Sequence, residues 1–172
     1  RDYHIVQGPP GTGKTSGLLT RYIRKIYTET DKTLLILSFT NRAVDEICQN
    51  LRKHGIRFIR TGQSEEVEAE VLDNLIEGRK FHEIAEVLKS CRVWVATVQS
   101  CNAWLSDLLK VVKIDELVID EASQIMENTI LGIIARIGKT ILIGDQNQLP
   151  PITRQSDEGF SFKHEKLAGL CY

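Results

Sequence analysis

The sequence predicts an α/β domain built on a parallel sheet covered by helices on both faces. Three observations predict it. Short apolar runs of strand length alternate with stretches whose apolar residues recur every three to four positions. The runs are continuously apolar rather than alternating, the mark of strands buried on both sides. Nearly every run opens into a loop of small, polar or glycine residues, as strand–helix crossovers require.

The elements follow in order. Residues 4–7 form a short strand that leads into Gly8-Pro9-Pro10-Gly11-Thr12-Gly13-Lys14-Thr15, after which Leu18, Leu19, Tyr22, Ile23 and Ile26 recur at helical spacing. Residues 33–38 are a strand. Ala43, Val44, Ile47, Cys48 and Leu51 form a helical stripe stopped by Gly55, and residues 56–60 return to strand. Residues 63–89 differ from their surroundings. Val67, Val71, Leu72, Leu75 and Ile76 make one helical face, and Phe81, Ile84, Ala85 and Leu88 a second, with Gly78 between, so a helical hairpin insertion is expected. Strand resumes at 92–97, helix at about 102–109, strand at 116–120, helix at 130–137 and strand at 140–144.

At 172 residues the chain is long enough for one domain with a full core and too short for two of ordinary size. The net charge of −1 gives no global basic field to advertise a nucleic-acid partner. That charge is unevenly spread: residues 63–89 hold eight acidic and three basic residues, a net of −5, leaving −1 − (−5) = +4 elsewhere. An acidic segment is a poor surface to lay against phosphates, so it is read as a solvated cover or a partner surface. No apolar run reaches transmembrane length, and no membrane partner is expected. Cys48, Cys91, Cys101 and Cys171 show no CxxC pair, which suits the reduced thiols of an intracellular protein. The chain opens without Met a few residues before its first strand, and is expected to be a piece cut from a longer protein.

The chemistry lies in the loops. Gly8–Thr15 fits the phosphate-binding pattern GxxxxGK[ST], after a strand and opening a helix. Gly8, Pro10, Gly11, Thr12 and Gly13 belong to the loop, whose backbone N–H groups turn toward phosphate oxygens at the positive end of a helix. Lys14 neutralises β- and γ-phosphate charge, and the Thr15 hydroxyl ligates Mg²⁺. Asp120-Glu121 ends an apolar strand; Asp120 is assigned to the metal and Glu121 to the general base. Gln148, in Gly144-Asp145-Gln146-Asn147-Gln148-Leu149-Pro150-Pro151, carries an uncharged amide suited to sensing a γ-phosphate, and the two prolines fix the chain after it. Two further loops, 38–42 and 97–100, are rich in hydroxyls and amides. They suit contacts to a single strand through Thr40, Asn41, Thr97 and Gln99, or else serve as helix caps through Thr40 and Ser100. All five segments follow strands and so share the carboxyl edge of a parallel sheet, where such folds bind ligands.

The combination of motifs resembles superfamily 1 helicases. SFTNRAVDEI from Ser38, VIDEASQ from Val118 and GDQNQLPP from Gly144 are similar to motifs Ia, II and III, and Thr97–Ser100 to motif Ic. DEASQ with GDQNQLPP looks like the 1B branch that contains the nonsense-mediated-decay helicases and senataxin. The resemblance runs from Gln7 to about Ile152 and implies the first RecA-like P-loop NTPase domain of a motor that moves 5′-to-3′ along single-stranded DNA or RNA. It implies ATP and Mg²⁺ as cofactors, with Lys14, Thr15, Asp120, Glu121 and Gln148 carrying the ATP chemistry. The family's adenine-contacting motif lies upstream of the first residue, and its transition-state arginines belong to a second RecA-like domain, so this piece alone is expected to be near-inactive. A small P-loop kinase or a non-catalytic module of the same fold are the alternatives; the kinase would need an arginine-rich lid, which is not visible.

Overall fold

The computed structural model describes residues 2–8, 14–62, 64 and 66–145. Six parallel strands form one sheet: β1 (Asp2–Gln7), β2 (Leu34–Ser38), β3 (Ile59–Arg60), β4 (Val93–Thr97), β5 (Glu116–Ile119) and β6 (Lys139–Gly144), in the order β1-β6-β5-β2-β4-β3. Strands β2, β4 and β5 are buried at every position because both of their faces are covered. Leu34 and Ile36 point into one layer and Leu35 and Leu37 into the other, the period-two alternation of a strand.

The two layers have separate cores. On one face lie α1 (Thr20–Glu29) and α2 (Asn41–Lys53), whose Ile23, Ile26, Val44, Ile47 and Leu51 bury against Ile36, Val95 and Val118. On the other lie α5 (Val98–Val111) and α6 (Glu127–Ile134), whose Leu105, Leu108, Ile130 and Ile133 bury against Leu35, Trp94, Leu117 and Ile119. A fully buried leucine or isoleucine contributes about 1.5–3 kcal/mol. Among the described residues no helix is long and apolar enough to cross a membrane.

Several boundaries differ from the sequence expectation. Helix α5 starts at Val98 rather than near 102, because Thr97 itself caps it: its hydroxyl accepts from the Ser100 N–H at 3.1 Å. The cap is therefore Thr97 and not Ser100, and residues 98–100 are a first helical turn instead of a loop. Helix α6 spans Glu127–Ile134, three residues earlier than expected; Glu127 in its first turn suits the positive helix end. Ile137, taken for its last apolar position, is buried in the turn leading to β6. Strand β3 is only two residues long. Gly55, at φ +66°, reverses the chain after α2, and Ile56 and Phe58 fill the core without pairing.

In the region 63–89 the chain makes a 3₁₀ turn (Glu68–Glu70), a short α3 (Leu72–Ile76) and α4 (Phe81–Ser90), with Gly78 at φ +69° between the two helices. Val67 and Val71 are buried in the main body, and Leu72, Leu75, Val87 and Leu88 pack on the core under α5. Val71 also bridges to Arg60 beside β3. The acidic segment thus covers what would be an open edge of the sheet, a position proteins avoid leaving bare.

Candidate functional site

Strand β1 delivers the glycine-rich loop to the carboxyl edge. The Gly8 N–H donates to the Gly144 carbonyl at 3.2 Å, fixing the start of the loop beside the end of β6. The chain re-enters a helix at Lys14, and Lys14 and Thr15 form its opening backbone. Its first stretch, Lys14–Leu19, has π-helical hydrogen bonding before regular α-helix begins at Thr20, a widened turn that is rare and clusters at functional sites. Leu19, Ile23 and Ile26 anchor this helix on the sheet. Pro10, Gly11, Thr12, Gly13 and Gln148 lie outside the described residues.

Asp120 continues the ladder one step past β5, its N–H donating to the Leu37 carbonyl at 2.8 Å, and only 1% of it is exposed. Val118 faces the layer of α1 and α2, so by alternation Asp120 is directed to the same side, where the Lys14 turn leads into α1. A carboxylate on that side of the sheet, at the carboxyl end of a strand, is chemically suited to a hard cation such as Mg²⁺.

Glu121 follows in the left-handed conformation, φ 55° and ψ 34°, the one non-glycine residue with positive φ among the described residues. Such a conformation costs of order 1–3 kcal/mol and persists only where its surroundings over-determine it. Here they do. The reversal at Glu121 sends the chain into the 3₁₀ turn Ala122–Gln124, which packs on the end of β6. The Ser123 hydroxyl accepts from the Asp145 N–H at 3.3 Å. A Cβ on Gly144 would come within 3.1 Å of the Ser123 nitrogen and 3.3 Å of its Oγ, so any other residue there would push the two loops apart by a few tenths of an ångström.

The remaining two loops open helices. Thr40 caps α2, its hydroxyl accepting from the Ala43 N–H at 3.2 Å, and Thr97 caps α5 in the same way. Both hydroxyls satisfy helix N–H groups, so the capping role anticipated for Thr40 is present, and at α5 it belongs to Thr97. Asn41 and Gln99, in the first turns, are exposed. Between these helix starts and the turn after Glu121 lies a cleft of about 270 Å³ lined by Phe39, Val98, Gln99, Gln124, Ile125 and Met126. The strand order brings Thr40, Asn41, Thr97, Gln99, Asp120 and Glu121 to one edge.

Sequence reasoning missed Arg60. Its side chain is fully buried at the end of β3, where Nε donates to Asp45 Oδ1 at 2.8 Å, Nη1 to the carbonyls of Thr61 and Gly62 at 3.2 and 2.6 Å, and Nη2 to Asn41 Oδ1 at 3.2 Å. The available signal was an arginine closing an otherwise apolar run just before a glycine. Ser123 was missed as well, although it lies inside the quoted DEASQ. Burial pushes the Cys48 and Cys101 thiols up to about 12, so both remain protonated at neutral pH and act as packing groups rather than nucleophiles.

Comparison with known proteins agrees on the lineage. Residues 1–154 match the family model AAA_19, described as an AAA domain. Over 91% of its length the chain is 31% identical to the DNA replication ATP-dependent helicase/nuclease JHS1 of Arabidopsis thaliana, covering 12% of that protein. It is 32% identical over 88% of its length to the human DNA replication ATP-dependent helicase/nuclease DNA2, covering 14% of it. The chain thus spans only about an eighth of the curated relatives it matches. Among solved structures, the helicase domain of Pyrococcus furiosus Hef superposes with a TM-score of 0.52 at 19% identity, covering 78% of this chain and 26% of that one. Arterivirus nonstructural protein 10, a helicase in complex with DNA, superposes at 0.57 and 17% identity, covering 87% and 30%. These two likenesses establish the fold alone, the α/β fold that the chain shares with those two structures.

Proposed function

The chain belongs to the AAA_19 family of AAA domains, and from that premise we propose that it is the ATP-binding motor domain of a helicase acting on single-stranded nucleic acid. One observation carries the reading: a buried Asp120, the left-handed Glu121 and the widened helix start at Lys14 share the carboxyl edge with two capped helix N-termini. The relatives' names, ATP-dependent helicase/nuclease of DNA replication, supply the activity class and favour DNA over RNA as the track.

In this reading the loop from Gly8 to Lys14 holds the phosphates, and Lys14 offsets their charge. Thr15 and Asp120 would hold Mg²⁺, which when bound would supply Lewis-acid stabilisation of the phosphate charge. Glu121 takes the proton of the attacking water. The left-handed backbone at Glu121 breaks the strand alternation after Asp120, which supports separate roles for the two adjacent acids. Gln148 senses the γ-phosphate. Thr40, Asn41, Thr97 and Gln99 contact the strand through hydroxyls, amides and the free N–H groups of two helix starts. The motor is completed by a second RecA-like domain of the same parent chain, which provides the arginines that stabilise transition-state charge, and movement is 5′-to-3′. Such an arginine contributes about 10³–10⁵ in rate, so residues 1–172 alone bind Mg-nucleotide but turn it over near background. Residues 63–89 form an acidic insertion within this domain rather than a strand-binding subdomain.

The test is the ATPase rate of the parent protein with and without single-stranded DNA and RNA, beside Lys14→Ala. Stimulation by one strand type, abolished in the variant, supports the motor and names its track. Robust hydrolysis indifferent to both strands would refute translocation and leave a P-loop ATPase acting on something else.

A further inference from the structure

Arg60 is a fully buried cation that the ATP chemistry does not use. It lies beneath both helix starts of the strand-facing edge: α2 opens above it with Asn41, and Ser100 of α5 stands 3.8 Å from where a Gly62 Cβ would be. Its ion pair with Asp45 satisfies the charge, and Asp45 accepts in addition from the Ser64 hydroxyl at 2.8 Å. Two of its remaining N–H groups hold the Thr61 and Gly62 carbonyls in a turn where Gly62 has φ +86°.

The contact to Asn41 adds something a purely structural ion pair does not need. A guanidinium has donors and no acceptors, so the Asn41 atom facing it at 3.2 Å is the carbonyl oxygen. The amide nitrogen, with its two donors, is therefore turned the other way. Asn41 is the exposed first residue of α2, where the helix N–H groups already favour an anion.

We propose that Arg60 is a positioning residue that locks the Asn41 amide with its NH₂ outward, so that the start of α2 offers side-chain donors, as well as backbone ones, to a phosphate of the bound strand. This rests on the strand-contact reading of the carboxyl edge given above. Buried, and with its side chain tied to Asp45, Thr61 and Gly62, Arg60 imposes that orientation before any ligand arrives. An unanchored amide would present oxygen or nitrogen in turn, and the oxygen repels phosphate.

The measurement is affinity of the parent protein for a single-stranded oligonucleotide at fixed salt, with thermal melting beside it. Asn41→Asp keeps an acceptor for Arg60 and favours the helix N-terminus, so the melting temperature holds. It replaces outward donors by a carboxylate oxygen, so affinity falls about tenfold or more, the size of one lost charge-assisted hydrogen bond plus repulsion. Asn41→Ala costs about three- to tenfold. Arg60→Lys keeps a charge for Asp45 but lacks the planar fork. In that background Asn41→Ala costs little further, because the amide is no longer aimed. An equal cost of Asn41→Ala in both backgrounds would overturn the role of Arg60. If Arg60→Lys does not fold, the two Asn41 variants decide: Asn41→Asp binding as tightly as the parent sequence overturns the proposal. Should Asn41→Asp be silent while Gln99→Ala weakens binding, the proposal alone falls. Should both be silent, the strand-contact reading falls with it.

Discussion

Strand β5 carries an acid at its first residue and two just beyond its last, and the two ends treat them differently. Glu116, at the amino end, is 1% exposed and enclosed: Lys32 Nζ lies 2.6 Å from its Oε1, Lys139 Nζ 3.4 Å from the same oxygen, and the Tyr22 hydroxyl donates to Oε2. Burial alone would raise its pKa, but the Lys32 and Tyr22 hydrogen bonds and the Lys139 charge together hold it below the ordinary glutamate range. Burial and the hydrogen bond to Glu116 in turn push the Tyr22 hydroxyl well above its usual value, so it stays a donor. At the carboxyl end, Asp120 and Glu121 are placed by backbone instead, through a ladder bond to Leu37 and a left-handed turn clamped onto Gly144. The amino edge surrounds its acid with two lysines and a tyrosine hydroxyl; the carboxyl edge fixes the main chain around its acids. The two ends differ in the kind of group that holds the acid, side chains at one and backbone at the other, although Glu116 and Asp120 are equally buried.

The same substitution at the two ends breaks the comparison most sharply. Glu121→Gln in the parent protein should lower strand-stimulated ATP turnover by about 10²–10⁴, the range for loss of a general base, with the melting temperature unchanged. Equal turnover would show that the left-handed acid has no catalytic part. Gly144→Ala comes next: a methyl 3.1 Å from the Ser123 nitrogen must separate the two loops, at a cost of about 1–3 kcal/mol in stability by denaturant melting. Ser123→Ala, which removes the hydroxyl without adding bulk, should cost less, and a reversed ranking would contradict the close-approach argument.

Glu116→Gln should leave turnover alone and lower stability by about 1–2 kcal/mol at neutral pH, held down by the half-exposed Lys32 partner. Because the folded pKa of Glu116 is depressed, its network stabilises the protein above the ordinary glutamate value and is lost as pH falls through the lower, folded one. The difference in stability between parent and Glu116→Gln should therefore shrink on acidification; a constant gap from neutral to strongly acid pH would contradict the ion network. The smallest effect is at the caps. Thr97→Ala should cost about 1 kcal/mol, while Ser100→Ala should cost less, since the structure assigns the cap to Thr97.

The centre of the sheet was legible because β2, β4 and β5 are buried on both faces, which leaves unbroken apolar runs such as Leu34–Leu37 and Val93–Ala96. The gathering of the polar loops at one edge was legible for the same reason: loops that follow such runs must lie together in a parallel sheet. The start of α5 was not. Thr97 is both the last strand residue and the helix cap, and Gln99 and Ser100 in the first turn read as loop because that turn is partly exposed. Arg60 was hidden because its partners, Asn41, Asp45 and Gly62, come together only through the crossover from β2 to β3. Charge counting marked 63–89 as a foreign surface, yet Val67 and Val71 bury in the main body and Arg52 reaches Glu70 at 2.5 Å, so the segment is bound into the fold. A local composition cannot show which few apolar residues of an acidic stretch turn inward.

Amide hydrogen exchange of the parent protein, with and without Mg-ATP and a single-stranded oligonucleotide, tests the division between the two edges most directly. Added protection should concentrate at the start of the helix from Lys14, at 39–44, 98–101 and 120–124, while amides at the amino edge, at Thr33, Glu116 and Lys139, stay at their unliganded rates. Protection appearing first around Glu116, or evenly at both edges, would contradict the assignment of the carboxyl edge as the working face of the domain.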